Sequence, residues 1–274
     1  MGLSSNILWH QTTKDALKKI LKDKCFRFSY SLEHIESNTH TLECAFPMLS
    51  LCDIPFADIG EYITKYGGNS IGLSRKWGIR YGITPAIYCE PTSNLLNNII
   101  DNLILQEKTK DINSFTVNLL SHIKNHEGNL PKYNYKRYRF YDEREVRIIP
   151  IPNDLVRVQQ PPILLKKDYE NYKRLHKNSS LLPENLNIPF HFNDIRYFIL
   201  KDEKSIDEIK NILSKDINLS QSKISFFTHQ QIKEDFIGEN HYEHLIREKI
   251  DINNLPNNFP PIIGKIDVDN RNNR

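Results

Sequence analysis

The apolar positions of the first ninety residues alternate between strand and helix periods. Residues 7–12, ILWHQT, predict a short strand with Trp9 and His10 near its end. Ala16, Leu17, Ile20 and Leu21 recur at helical spacing, so a helix over 13–21 follows, capped by Thr13 with Asp15 in its first turn. Residues 26–30 read as extended. The run 45–51, AFPMLSL, predicts a buried strand ended by Asp53 and Pro55. Residues 56–66 read as a helix stopped by Gly67-Gly68. A strand over 70–73, a short helix from Ser74 or Arg75 through Trp77 and Ile79, and a strand over 84–89 come next.

From 92 to 125 the pattern is helical, in two pieces broken near 110–113. Residues 131–140, PKYNYKRYRF, interleave cations with rings, and 141–150, YDEREVRIIP, follow at once. Residues 146–151 read as a buried strand. Glu143 and Glu145 stand at spacing two, which on a strand puts both carboxylates on one face. Beyond Pro150 the chain is proline-rich and irregular to about 190. Strand 195–200, helix 205–213 with Ser205 as its cap and Glu208 three residues on, strand 223–227 and a Thr228-capped helix form a closing β-α-β-α unit. The expected organisation is one α+β domain over 1–252, with a helical insertion at about 92–126, an irregular stretch at about 150–190 and a loose tail over 253–274.

Lys plus Arg number 37 and Asp plus Glu 34 in 274 residues, a formal charge of +3. Any nucleic-acid contact must therefore come from a local patch. The densest one is Lys132, Lys136, Arg137 and Arg139 interleaved with Tyr135, Tyr138 and Phe140. Cations hold phosphates while aromatic faces stack on bases, which makes Lys132, Tyr135, Lys136, Arg137 and Arg139 candidate nucleic-acid contacts. An amphipathic strand with packed tyrosines and solvated lysines gives the same pattern. Glu143 and Glu145, with Arg144 and Arg147, suit a cationic or phosphate-bearing substrate; an edge strand of alternating charge reads the same.

Cys25, Cys44, Cys52 and Cys89 form no C-x-x-C pair, so they are read as buried thiols in a reducing compartment. His122 and His126 have an i,i+4 spacing but no third ligand in view, and no metal is expected. The N-terminus lacks an apolar h-region and no run of about 18 apolar residues occurs. The expectation is a cytoplasmic protein without a membrane span.

Four segments, NILWHQTTKDALKKIL, AFPMLSLCDIPFADIGEYITKYG, IGLSRKWGIRYGITPAIY and FYDEREVRIIP, resemble in this order the AbiGi family over roughly residues 6–150. That family belongs to bacterial abortive-infection phage defence and is described as the antitoxin half of a two-gene pair, which implies a cognate toxin or antitoxin partner. A strand ending in His10-Gln11-Thr12, followed by a helix, is also similar to the start of ADP-ribosyltransferases of the DarT and diphtheria-toxin kinds. That second resemblance implies an ADP-ribosyltransferase-like split β-sheet flanked by helices, with NAD as substrate. It implies a catalytic Glu at the start of a late strand, Glu145, and Glu143-Arg144-Glu145 resembles the Glu-x-Glu of arginine-directed transferases. Ser50-Leu51-Cys52 is loosely similar to a Ser-Thr-Ser strand. His10 is expected on a ribose, Thr12 at the strand end, Arg27 on a phosphate, and Tyr30 or Tyr66 stacked on nicotinamide. The expected function is anti-phage transfer of ADP-ribose from NAD to a nucleic-acid or protein acceptor. The alternative is a catalytically inactive antitoxin that neutralises a toxin. His10 and Glu145 are expected to face one cleft, with side chains on opposite faces of the sheet counting against the transferase reading, and Glu145 to contribute little to folding.

Overall fold

The computed structural model describes residues 5–66, 68–109, 113–130 and 135–234. They form an α+β fold around a nine-stranded mixed sheet. Its spine runs Ser225–Thr228, Ile195–Leu200, Asn69–Ser74, Ile7–Thr12, Thr41–Cys52, Glu145–Ile148, Thr84–Pro85. Ser225–Thr228 runs parallel to Ile195–Leu200 and the other neighbours in this spine are antiparallel. The helix Glu203–Leu213 connects the parallel pair, as such a crossover requires.

One junction in the sheet is narrow. Ile7–Thr12 pairs with Asn69–Ser74 at six positions but meets Thr41–Cys52 at one, Trp9 opposite Cys52. The long strand instead pairs with Ser29–Glu36 over eight positions, as a hairpin. Residues 41–44 are more polar than 45–51, so their strand state comes from this pairing and extends the expected strand to Thr41–Cys52.

Alternation along Ile7–Thr12 sends Leu8 and Trp9 to opposite faces. Leu8 joins Leu17, Ile71, Trp77 and Phe198 under the helices Lys14–Asp23 and Glu203–Leu213. Trp9 joins Cys52, Ile59, Ile63 and Ile199, and its indole donates to the Ile54 carbonyl at 3.0 Å. A third core of Ile35, Phe46, Leu96, Ile100, Leu120 and Ile123 packs the helices Asn94–Thr109 and Ser114–His122 against the hairpin. Gly68 holds φ +94°, and a Cβ there would stand 3.1 Å from the Thr12 carbonyl oxygen. The turn after the helix Ile59–Tyr66 therefore needs glycine.

Several local expectations are corrected. The helical reading of 92–125 ends at His122, because Ile123–Asn125 is a strand parallel to Ile87–Cys89. His122 and His126 therefore do not share a helix face. The stretch 150–190 contains two helices, Pro152–Arg157 and Lys166–Leu175, where irregular chain was expected. The helix Glu203–Leu213 is capped by Asp202, which accepts from the Ser205 amide at 2.8 Å, and not by Ser205. The expected tail at 253–274 lies outside the described residues.

Candidate functional site

A cavity of about 490 Å³ opens where Ile7–Thr12 and Thr41–Cys52 lose contact beyond the Trp9–Cys52 pair. His10, Thr12, Arg27, Glu143 and Glu145 all line it, together with Ser50, Glu33 and Lys124. Directly opposed residues share a face of the sheet, so Trp9, Cys52 and Glu145 lie on one face and His10 on the other. The opposite placement differs from the expectation, yet His10 and Glu145 both line the cavity. The His10 Nδ1 donates to the Ser50 carbonyl at 3.1 Å, and its ring stands edge-on to Phe26. Burial lowers the His10 pKa, outweighing the opposite pull of that carbonyl. The ring is neutral near pH 7, with the proton on Nδ1 and a lone pair on Nε2.

Glu143 and Glu145 do not share a strand. Residues Phe140–Glu143 form a 3-10 turn, Arg144 takes a left-handed conformation at φ 45°, and the strand begins at Glu145. The pair at spacing two on one face is Glu145 and Arg147. Arg147 is fully buried. It donates from Nε to Glu145 Oε1 at 2.9 Å and from Nη2 to Oε2 at 3.1 Å. Its Nη2 also meets Glu33 Oε1 at 2.8 Å, and Nη1 the Ser121 carbonyl at 2.6 Å.

Two more donors complete the Glu145 carboxylate. Ser50 Oγ donates to Oε1 at 2.8 Å, and Lys124 Nζ to Oε2 at 2.7 Å. Lys124 also stands 3.3 Å from Glu143 Oε2 and 5.0 Å above the Phe140 ring. It is carried there by the strand Ile123–Asn125, which Asn125 ties to the hairpin: its Oδ1 accepts from the Glu36 amide at 2.7 Å and its Nδ2 donates to the Glu36 carbonyl at 2.9 Å. Burial acts to raise the Glu145 pKa, but Arg147 and then Lys124 outweigh it and hold the carboxyl well below the usual range. Glu33 meets the network through a single Arg147 bond, and there burial wins and raises its pKa.

The remaining predicted residues divide. Arg27 lines the cavity with its Nη groups on Glu184 and the Leu182 carbonyl, while its buried Nε has no hydrogen-bond partner. Tyr30 does not line the cavity. Ser29, Ser31 and Glu33 do, and alternation turns Tyr30 to the other face, where it is buried and donates to the Pro161 carbonyl at 2.6 Å. Arg137 and Arg139 are exposed, 3.6 Å from Glu127 and 3.9 Å from Asp142. Lys132 lies outside the described residues, as do the side chains of Tyr66, Tyr135 and Lys136. Among the described residues no group of three or more His, Cys, Asp or Glu could hold a metal, and no helix is long and apolar enough to cross a membrane.

Sequence reasoning missed the site roles of Arg147, Lys124 and Glu33. Arg147 carried a local signal, since a cation inside the apolar run VRII needs a buried counter-charge. Lys124 carried none, because the helical pattern around it conceals a strand held by distant pairing.

Two solved structures, Thermus sp. 2.9 DarT in complex with NAD+ and with carba-NAD+, align with 81% of this chain and 94% of theirs at 9% identity, with TM-scores of 0.32 and 0.30. The abortive phage resistance protein AbiGi of Lactococcus lactis subsp. cremoris is 30% identical over 238 residues, covering 73% of this chain and 93% of that protein. The model of the AbiGi family, abortive phage resistance proteins described as antitoxins, matches residues 15–201. With that match across more than half its length, the chain belongs to the AbiGi family of abortive phage resistance proteins.

Proposed function

We propose that this AbiGi protein acts in bacterial phage defence, in the cytoplasm, as an ADP-ribosyltransferase-like protein whose cavity takes NAD. In this reading the single Trp9–Cys52 contact marks the parting of a split sheet. The observation that carries the proposal is the meeting of His10 and Glu145 at Ser50, one on its carbonyl and the other on its hydroxyl, inside one cavity. The volume lies in the range of small-molecule sites, about 300–1,000 Å³. Arg27, a guanidinium on the cavity wall, suits a phosphate. His10, Thr12 and Ser50 suit ribose hydroxyls. NAD supplies the ADP-ribose group, and transfer exchanges the bond from ribose to nicotinamide for one from ribose to an acceptor that gives up a proton. Glu145 would face the positive charge that develops on the ribose. The exposed Arg137 and Arg139, with the rest of the 131–141 run, would hold a nucleic-acid acceptor; a protein acceptor is the other case.

The test is label transfer from NAD to RNA, DNA and cell protein, by wild type and Glu145→Gln. Labelling by the wild type and its loss in the variant, under conditions where thermal unfolding shows both to be folded, support the reading. Equal labelling removes the catalytic role of Glu145.

A second reading is a non-catalytic antitoxin that binds a toxin encoded beside it. One specific observation favours it: four donors occupy the Glu145 carboxylate. The description of the family as an antitoxin points the same way. Absence of labelling by the folded wild type, with relief of a neighbouring product's toxicity on co-expression, would select it. If no neighbouring product's toxicity changes, with or without phage, the antitoxin reading fails.

A further inference from the structure

An ionised carboxylate offers about four lone-pair positions. In Glu145 they are taken by Ser50 Oγ, Arg147 Nε, Arg147 Nη2 and Lys124 Nζ. A ligand hydroxyl can bond Glu145 only if one of these donors leaves. Arg147 cannot: it is fully buried and anchored on Glu33 and the Ser121 carbonyl as well. Ser50 is fixed in the sheet opposite Arg147, and the other acceptor in reach of its hydroxyl, Met48 Sδ at 3.3 Å, is a weak one. Lys124 is the donor on a long flexible stem, and a second carboxylate, Glu143, already stands 3.3 Å from its Nζ. It also has room. A second recess of about 260 Å³ abuts the cavity, with Ser31, Glu33 and Lys124 as the shared wall. Glu36, Glu127 and the Phe140 ring line its far side.

We propose that Lys124 is a built-in competitor of the ligand: its ammonium closes the last acceptor position on Glu145, and a sugar hydroxyl gains that position as Lys124 moves onto Glu143. Glu143 then serves as the carboxylate that receives Lys124, not as a second catalytic acid. This proposal rests on the NAD reading of the cavity. Glu143 also keeps the ammonium charge-balanced after it leaves Glu145, which an uncharged cavity wall could not do. The bond that Lys124 surrenders is thereby partly replaced, so its displacement by a neutral hydroxyl becomes feasible.

The experiment is a calorimetric titration of NAD into the full chain as wild type, Lys124→Met, Glu143→Gln and the double variant, each checked for folding by thermal unfolding. Lys124→Met should bind NAD more tightly by roughly ten- to a hundredfold, the worth of one hydrogen bond to a charged group. Glu143→Gln should bind more weakly, and its effect should vanish in the Lys124→Met background. Equal or weaker binding by Lys124→Met overturns the competitor role, as does a Glu143→Gln effect of the same size in both backgrounds. Should Lys124→Met fail to fold, Glu143→Gln alone decides, and affinity unchanged from wild type overturns the proposal. Absence of NAD binding by every folded protein overturns the NAD reading and this proposal with it, whereas binding by the wild type separates the two.

Discussion

Arg147 lies side-on against Glu145, with two N–H groups on its two carboxylate oxygens at 2.9 and 3.1 Å and no exposure of its own. The expectation that a strand-mouth carboxylate leaves folding untouched therefore does not hold for Glu145, which is the main counter-charge of a buried guanidinium. Removing one member of such a pair leaves an uncompensated buried charge, at a cost of about 3–5 kcal/mol. Arg147→Met should be destabilised by that amount in urea unfolding. Arg147→Lys should recover only part of it, since an ammonium cannot span both oxygens and the Ser121 carbonyl. Wild-type stability of Arg147→Met would show that the pair contributes nothing.

The two buried carboxylates should respond to pH in opposite directions. Glu145 has a folded pKa below its unfolded value of about 4.3. Its contribution is complete above that value and is lost as pH falls below it. Glu33 has a raised pKa, so its contribution is present at low pH and is lost as pH rises. Unfolding free energies between pH 3 and 8 should show wild type gaining on Glu145→Gln as pH rises, and losing on Glu33→Gln. Parallel curves for the two variants would contradict the network.

How far the sequence revealed this site follows from which contacts are local. The strands at 7–12 and 195–200 and the Thr13 and Thr228 caps sit in short, strongly patterned segments, where spacing and a hydroxyl decide the structure. His10, Thr12, Arg27 and Glu145 were named from residues and resemblance, and they line one cavity. Tyr30 was misplaced because alternation along Ser29–Glu36, a strand extended by its hairpin partner, decides which side chains face inward. Lys124 went unseen because residues 123–125 are strand only through pairing with 87–89. Glu143 and Glu145 read as one strand in the sequence because a left-handed Arg144 has no sequence signature.

His10 should stay neutral through the physiological range. Its burial lowers the pKa, and the Ser50 carbonyl can only accept, so the proton belongs on Nδ1. Nitrogen NMR of the imidazole should report one tautomer from pH 6.5 to 8, with no titration step lost in His10→Asn. A His10 midpoint at or above about 6.5, the unperturbed value, would mean that burial does not lower its pKa.

Arg137 and Arg139 test the acceptor. Both are exposed, with carboxylates no closer than 3.6 and 3.9 Å, a separation at which surface pairs contribute about 0–1 kcal/mol. Replacing both by Ala should therefore leave the unfolding midpoint nearly unchanged. If they hold a single-stranded acceptor, each neutralises a phosphate, and the slope of log affinity against log salt is about 0.7 per contact. The double variant should lower that slope by roughly 1.4 while NAD hydrolysis by water is spared, because neither residue lines the cavity. Glu145→Gln should behave in the opposite way, losing transfer by roughly 10²–10³ with the salt slope intact. An unchanged slope in Arg137→Ala/Arg139→Ala, measured with an acceptor that the wild type labels, would take nucleic acid off this strand. That acceptor would then be held by another surface of the protein.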